Sequence, residues 1–294
     1  MSAHQQLLDA DALLSRIAQR VPTNLRENVV IIGSIACAWS FRDIFGNAAV
    51  ATKDIDLLLR PAVDAISSAE ALGQQLLDQG WRPHYPNGQE PGGTDTPEEA
   101  LPALRLSPPE EDAGWFVELL GSPEPGQEKR RVWCRFETDM GHFALPCFRF
   151  MPVATCGAEL SNYGFRIASP SSMALAHLLE HSEPDKTPIS GLHGNPPRYV
   201  KDVGRAVALW WLALEQSSAA DEEWLAQWQR TLHSVFPGNL EQMKAAAEKG
   251  LAVLESFLGD AHVIAVTGVL AAHGTTLPSF KRAFGDLSEL IAEL

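Results

Sequence analysis

Residues 29–59 read VVIIGSIACAWSFRDIFGNAAVATKDIDLLL: an apolar run into Gly33-Ser34, then a second apolar run with Asp54 and Asp56 on either side of Ile55. Side chains on a strand alternate between faces, so Asp54 and Asp56 project from one side while Ile55, Leu57 and Leu59 serve the other. Two carboxylates on one face repel each other unless a cation sits between them. Hard oxygen ligands of this kind suit Mg²⁺ shared with substrate phosphates. Upstream, Val29–Ile32 is short, β-branched and closed by Gly33, which predicts a buried strand. Gly33-Ser34 then opens a helix over 35–45, where backbone N–H groups and a hydroxyl can meet a phosphate.

Outward from this stretch, apolar positions at Leu7, Leu8, Leu13, Leu14 and Ile17 predict a first helix within 4–20. After the acid-bearing strand Asp54–Leu59, the pattern predicts a helix over 62–79, closed by Gly80, and a short strand over 81–85. Residues 86–112 are rich in Pro, Gly and acids and read as a mobile insertion. Strands follow at 115–120, 131–137 and 142–151. From about residue 170 the spacing is helical: 171–182, 199–216, 221–235, 240–258, 261–273 and 277–294. The expected fold class is therefore α/β (α+β): a mixed sheet with helices over 1–168, then an all-α domain over 169–294. No internal repeat is present.

The chain has 294 residues, 45% of them hydrophobic, which is enough for a substantial core. No uninterrupted apolar stretch reaches the roughly 18 residues of a membrane span. The longest, 261–272, reads as a buried helix, and the acid-containing N-terminus does not read as a signal peptide. Cys37, Cys134, Cys147 and Cys156 show no metal spacing and read as free thiols, so the expected compartment is the cytoplasm, with no membrane partner. A net charge of −14 argues against a broad grip on nucleic acid. Lys129-Arg130-Arg131 is the one dense basic cluster, read as a solvated turn entering a strand.

A third carboxylate would complete the Asp54/Asp56 pair, and Glu118 is the best placed, a lone acid in the apolar run WFVELL over 115–120. It can ligate a metal or take a proton from an attacking hydroxyl. The plainer reading is an outward-facing acid on an edge strand. Together, Gly33-Ser34, Asp54-Ile55-Asp56 and Glu118 resemble the nucleotidyltransferase superfamily, the polymerase-β-like fold. The stretch between Ser34 and Asp54 is longer than in its minimal members. Further on, Arg198-Tyr199-Val200-Lys201-Asp202 is similar to the Arg-x-x-Lys-Asp element of AbiEii-type nucleotidyltransferase toxins. The resemblance implies transfer of an NMP from an NTP to a hydroxyl, with pyrophosphate released. It implies Asp54, Asp56 and Glu118 as Mg²⁺ ligands and catalytic residues, and Gly33, Ser34, Lys53, Arg198, Lys201 and Asp202 as the nucleotide-binding set. The acceptor stays open between a tRNA end, a protein and a small molecule, and toxin–antitoxin relatives imply a partner protein. A non-catalytic nucleotide-sensing or partner-binding module on the same fold is the alternative.

Two further patterns compete for attention. His177-Leu178-Leu179-Glu180-His181 has the HxxEH form of a zinc-peptidase motif, but without a clear distant third ligand. Histidines at the helix surface or between the two halves are the simpler reading. The family usually places a Lys on this helix, and this chain has His177 and His181 instead. Trp210, Trp211, Trp224 and Trp228 fall at helical spacing and read as core packing rather than base stacking.

Overall fold

The computed structural model describes residues 7–45, 50–85, 88–110, 114–123, 129–189 and 194–294. Its centre is a seven-stranded mixed sheet in the order Glu159–Leu160, Arg166–Ile167, Val29–Ile32, Asp54–Leu59, Phe116–Leu120, Arg105–Ser107, Arg82–Pro83. The fold is mixed α/β, as expected. Val29–Ile32 is buried along its whole length and pairs antiparallel with Asp54–Leu59, which in turn runs parallel to Phe116–Leu120. A β-hairpin, Arg131–Thr138 with Gly141–Phe148, lies beside the sheet and packs on the Ala65–Asp78 helix.

After Arg166–Ile167 every described element is helical. Helices Pro170–Glu180 and Arg198–Gln216 pack against each other, and Leu258–Thr267 and Leu277–Ala292 cover the second of them. Leu240–Ala252 approaches Pro170–Glu180 so closely that a Cβ at Gly250 would strike the Leu178 carbonyl. One continuous apolar core joins the sheet to these helices. Trp210, Trp224 and Trp228 are buried in it and meet ring to ring, so they are core residues, as their spacing predicts.

Several boundaries differ from the sequence reading. The helix expected over 35–45 starts at Gly33 and breaks at the buried Phe41 into Gly33–Ser40 and Arg42–Phe45. Leu7–Leu8 lies outside the first helix, Ala10–Ala18, and pairs with Val50–Ala51. The largest correction concerns 86–112, of which 86, 87, 111 and 112 lie outside the described residues. Within it, Leu101, Leu104 and Leu106 are buried and Arg105–Ser107 is an interior strand of the main sheet. Three apolar anchors outweigh the Pro/Gly/acid composition that reads as a mobile insertion. Among the described residues, one helical run, Leu240–Thr267, is long and apolar enough to cross a membrane by length and composition. It is interrupted by a short 3-10 turn and carries Lys244, Glu248 and Lys249, while Met243, Ala247 and Leu251 face the core.

Candidate active site

Strand register brings the three acids together. Asp56 is opposite Glu118 in the parallel pair and opposite Ile32 in the antiparallel one, and Glu118 is opposite Arg105 on its other side. Phe116–Leu120 is thus an interior strand, and Glu118 is no outward edge acid. One ligand oxygen each from Asp54, Asp56 and Glu118 can be chosen so that all lie within 4.8 Å of one another, half-open to a cleft. The Thr52 hydroxyl donates to Asp54 Oδ1 at 2.5 Å. Arg105 donates through Nε and Nη2 to Glu118 Oε1 at 3.1 and 2.9 Å, and Oε2 has no protein partner among the described residues.

The charges within the cluster are unequal. Burial alone would raise the Asp54 carboxyl, but Lys201, the Thr52 hydroxyl and Arg205 outweigh it and hold Asp54 below its ordinary range. Asp56 lies deeper. Burial, then the charges of Asp54 and Glu118, push it up to about 8 against Arg205 and Lys201. The metal-free cluster therefore keeps a proton where a cation would remove the repulsion.

Gly33 stands against this cluster with φ at +73°, and a Cβ there would collide with Asp56 Oδ2. The position demands glycine twice, for the left-handed backbone and for the close approach of a carboxylate. Gly33→Ala should displace Asp56, weaken any divalent-cation binding at the three acids at least tenfold and cost about 1–2 kcal/mol of stability. Metal titration and thermal melting check this, and unchanged metal affinity would contradict it. Ser34 begins the helix beside Gly33, and its hydroxyl accepts from Arg205 Nη2 at 3.1 Å. No side chain caps this helix start, so its first N–H groups are free to meet an anion.

Opposite the sheet stands the Arg198–Gln216 helix. Residues 198, 201, 202 and 205 follow i, i+3, i+4, i+7 and share one face, turned to the cleft. Asp202 Oδ2 forms an ion pair with Arg198 Nε at 3.4 Å and contacts His181 Nε2 at 3.1 Å. Although burial opposes it, His181 and Arg198 hold Asp202 well below the ordinary carboxylate range. His181 Nδ1 meets two donors, Arg130 Nη2 at 3.3 Å and the Asp185 backbone N–H at 3.5 Å. Nδ1 is therefore the acceptor and Nε2 carries the proton to Asp202. Both ring nitrogens are engaged, which leaves His181 unsuited to zinc; Glu180 is likewise taken up by Arg130, Nε to Oε1 at 2.6 Å. His177, one turn earlier, lines the cleft, and burial leads the effects that push it down to about 3, so it is a neutral imidazole.

Two clefts meet at the acids. The first encloses about 230 Å³ and holds the whole triad, with Arg105, Arg130, Arg131 and His177 on its walls. The second, about 350 Å³, is lined by Ser34, Thr52, Lys53 and Phe116 but not by Asp56 or Glu118. Asp54, Lys201 and Arg205 belong to both. Within the first, Glu118, Glu180, Asp185 and Asp202 already have basic partners. Among the described residues, Lys201, Arg205 and Arg131 form no ion pair, and neither do Asp54 and Asp56. Those two carboxylates could hold a cation, and the three basic groups could meet anions.

All nine residues singled out in the sequence thus line one or both clefts: Gly33, Ser34, Lys53, Asp54, Asp56, Glu118, Arg198, Lys201 and Asp202. The reading missed Arg205, Arg105 and Thr52, and it took Arg130 and Arg131 for a solvated turn. Arg205 was findable, being one turn beyond Lys201 on the same helix face. No family model, curated protein or solved structure matches the chain.

Proposed function

We propose that the protein is a metal-dependent nucleotidyltransferase that moves an NMP from an NTP to a hydroxyl and releases pyrophosphate. The observation that carries this reading is the convergence of three carboxylates on one face, opposite Lys201 and Arg205, which form no ion pair among the described residues. The donor set fits Mg²⁺, being all hard oxygen and half-open, and the nearness of the acids makes a cation the natural replacement for the proton on Asp56. Bound Mg²⁺ would neutralise the triphosphate and stabilise the charge that develops on transfer.

The chain's own groups divide the remaining work. Ser34, the open N–H groups of its helix, Lys201 and Arg205 bind and orient the triphosphate, with Lys53 at the mouth of the second cleft. Arg105 holds Glu118 through Oε1, so Oε2 can take the proton from the attacking hydroxyl. Asp202 and His181 fix Arg198 at the cleft wall. Glu118→Gln keeps an oxygen for Arg105 but no base. It should lower kcat about 10²–10⁴-fold with the affinity for NTP much less changed. Steady-state kinetics with labelled NTP and a working acceptor decide it, and an unchanged kcat removes Glu118 from this role.

Metal uptake should also release protons. Asp56 in the metal-free protein keeps its proton up to about pH 8. At pH 7, Mg²⁺ binding then releases close to one proton, and the apparent affinity rises with pH until about 8. The folded value lies above the unfolded 3.8, so the metal-free protein loses stability as pH rises between the two. The melting increment from Mg²⁺ is consequently larger at pH 8 than at pH 6. Calorimetry in buffers of different ionisation enthalpy reads the proton count directly, and a count of zero would contradict the coupling.

A further inference from the structure

Phosphate and metal account for only part of the first cleft, whose remaining wall sets an apolar surface beside charged groups. Trp133, Phe148, Phe150, Met151 and Met173 line it. The Arg131 guanidinium lies over the rings of Trp133 and Phe148, 4.7 Å from the Phe148 centroid and 5.6 Å from the Trp133 centroid. It has no ion-pair partner among the described residues; burial, then the charges of Arg198 and Arg130, make its own charge costly, with Asp185 and Glu180 offsetting only part of this. A guanidinium fixed on aromatic faces beside like charges is relieved by an anion next to a flat apolar group. At about 230 Å³ the space is below the range of ordinary drug-sized sites, so its occupant is small.

The division into two clefts says which substrate goes where. In-line displacement puts the attacking and leaving oxygens on opposite sides of phosphorus. Ser34, Lys53 and the shared cations open to the second cleft, whereas Glu118 opens only to the first. Resting on the nucleotidyl-transfer reading, we infer that the first cleft takes the acceptor, and that this acceptor is a small hydroxyl-bearing aromatic acid. Its ring lies against Trp133 and Phe148, its anionic group meets Arg131, and its hydroxyl faces Glu118. The hydroxyl oxygen forms a bond to the α-phosphorus while the bond from that phosphorus to the bridging oxygen breaks. The bonding electrons leave with pyrophosphate and the hydroxyl proton passes to Glu118 Oε2.

The test is calorimetry and ligand-observed NMR on the full chain with three probes. These are 4-hydroxyphenylacetate, tyramine (the same ring with a cationic end) and a CCA trinucleotide, with Mg-ATP and Mg-GTP binding followed in parallel. Wild type should bind 4-hydroxyphenylacetate at least tenfold more tightly than tyramine, and Arg131→Ala should lose about tenfold for the acid while keeping its Mg-NTP affinity. Equal binding of tyramine, indifference to Arg131→Ala, or tighter binding of the trinucleotide overturns the inference. Failure of the aromatic acid to bind a protein that does bind Mg-NTP overturns the acceptor assignment alone. Loss of Mg-NTP binding in wild type, with the acid still held through Arg131, overturns nucleotidyl transfer and leaves the aryl-acid site standing.

Discussion

On the proposed nucleotidyl-transfer reading, the Asp54→Ala, Asp56→Ala double variant should fold, fail to bind Mg-NTP and lose at least about 10³-fold in turnover. Both acids sit on the cleft side of their strand, while Ile55, Leu57 and Leu59 on the other side are fully buried and carry the packing. Removing the two carboxylates also removes a repulsion, because Asp56 is pushed up to about 8 by burial and by the charges of Asp54 and Glu118. Loss of Asp54 gives up its attraction to Lys201 and Arg205, so the melting temperature of the metal-free double variant should stay close to that of wild type. Loss of nucleotide binding therefore cannot be attributed to unfolding. Calorimetry with Mg²⁺ and each NTP, together with thermal melting, measures both. A double variant that binds Mg-NTP as wild type does would refute the mechanism.

The largest effect on stability is expected at Asp202. Its carboxylate meets His181, which is 1% exposed, and Arg198, whose side chain is 47% exposed. Asp202→Ala leaves the Nε2 proton of His181 buried without an acceptor and Arg198 without its counter-charge. Arg198 can turn to water, so the cost should be about 3 kcal/mol, at the low end for breaking a buried pair, or about 5–10 °C in melting temperature. Asp202→Asn keeps an oxygen for His181 and should lose about half as much. The pH dependence follows from the sign of the shift. The folded value of Asp202 lies well below 3.8, so its contribution is present above that pH and fades as pH falls through the folded value. The gap between wild type and Asp202→Asn should therefore narrow in acid. A gap that stays constant down to pH 2 would contradict the ion pair.

How far the chain could be read without coordinates differs from element to element. The period of two made Asp54 and Asp56 co-facial, and a lone acid among apolar neighbours singled out Glu118. Those are local signals, and the three side chains do converge. Arg198, Lys201 and Asp202 were legible as charges ahead of an apolar helix, but their shared wall with Asp54 depends on how that helix packs on the sheet. Arg105 was hidden by its composition. Proline, glycine and acids around it suggest a loose segment, whereas Leu104 and Leu106 seat it in the sheet across from Glu118. Arg130 and Arg131 read as a solvated turn because a run of charge usually is one. Only the arrival of the Pro170–Glu180 helix beside the hairpin brings Arg130 to Glu180 and His181. The HxxEH pattern was misleading for the same reason, since its partners are arginine and aspartate contributed from distant elements.

The central claim is that Asp54, Asp56 and Glu118 hold one divalent cation against a nucleoside triphosphate. Crystals grown with Mn²⁺ and a non-hydrolysable NTP, measured at the manganese absorption edge, test it most directly. An anomalous peak within bonding distance of all three carboxylates is expected, with the triphosphate running toward Ser34, Lys201 and Arg205. A nucleotide bound elsewhere, or a cleft that binds the nucleotide with no metal between the acids, would contradict it.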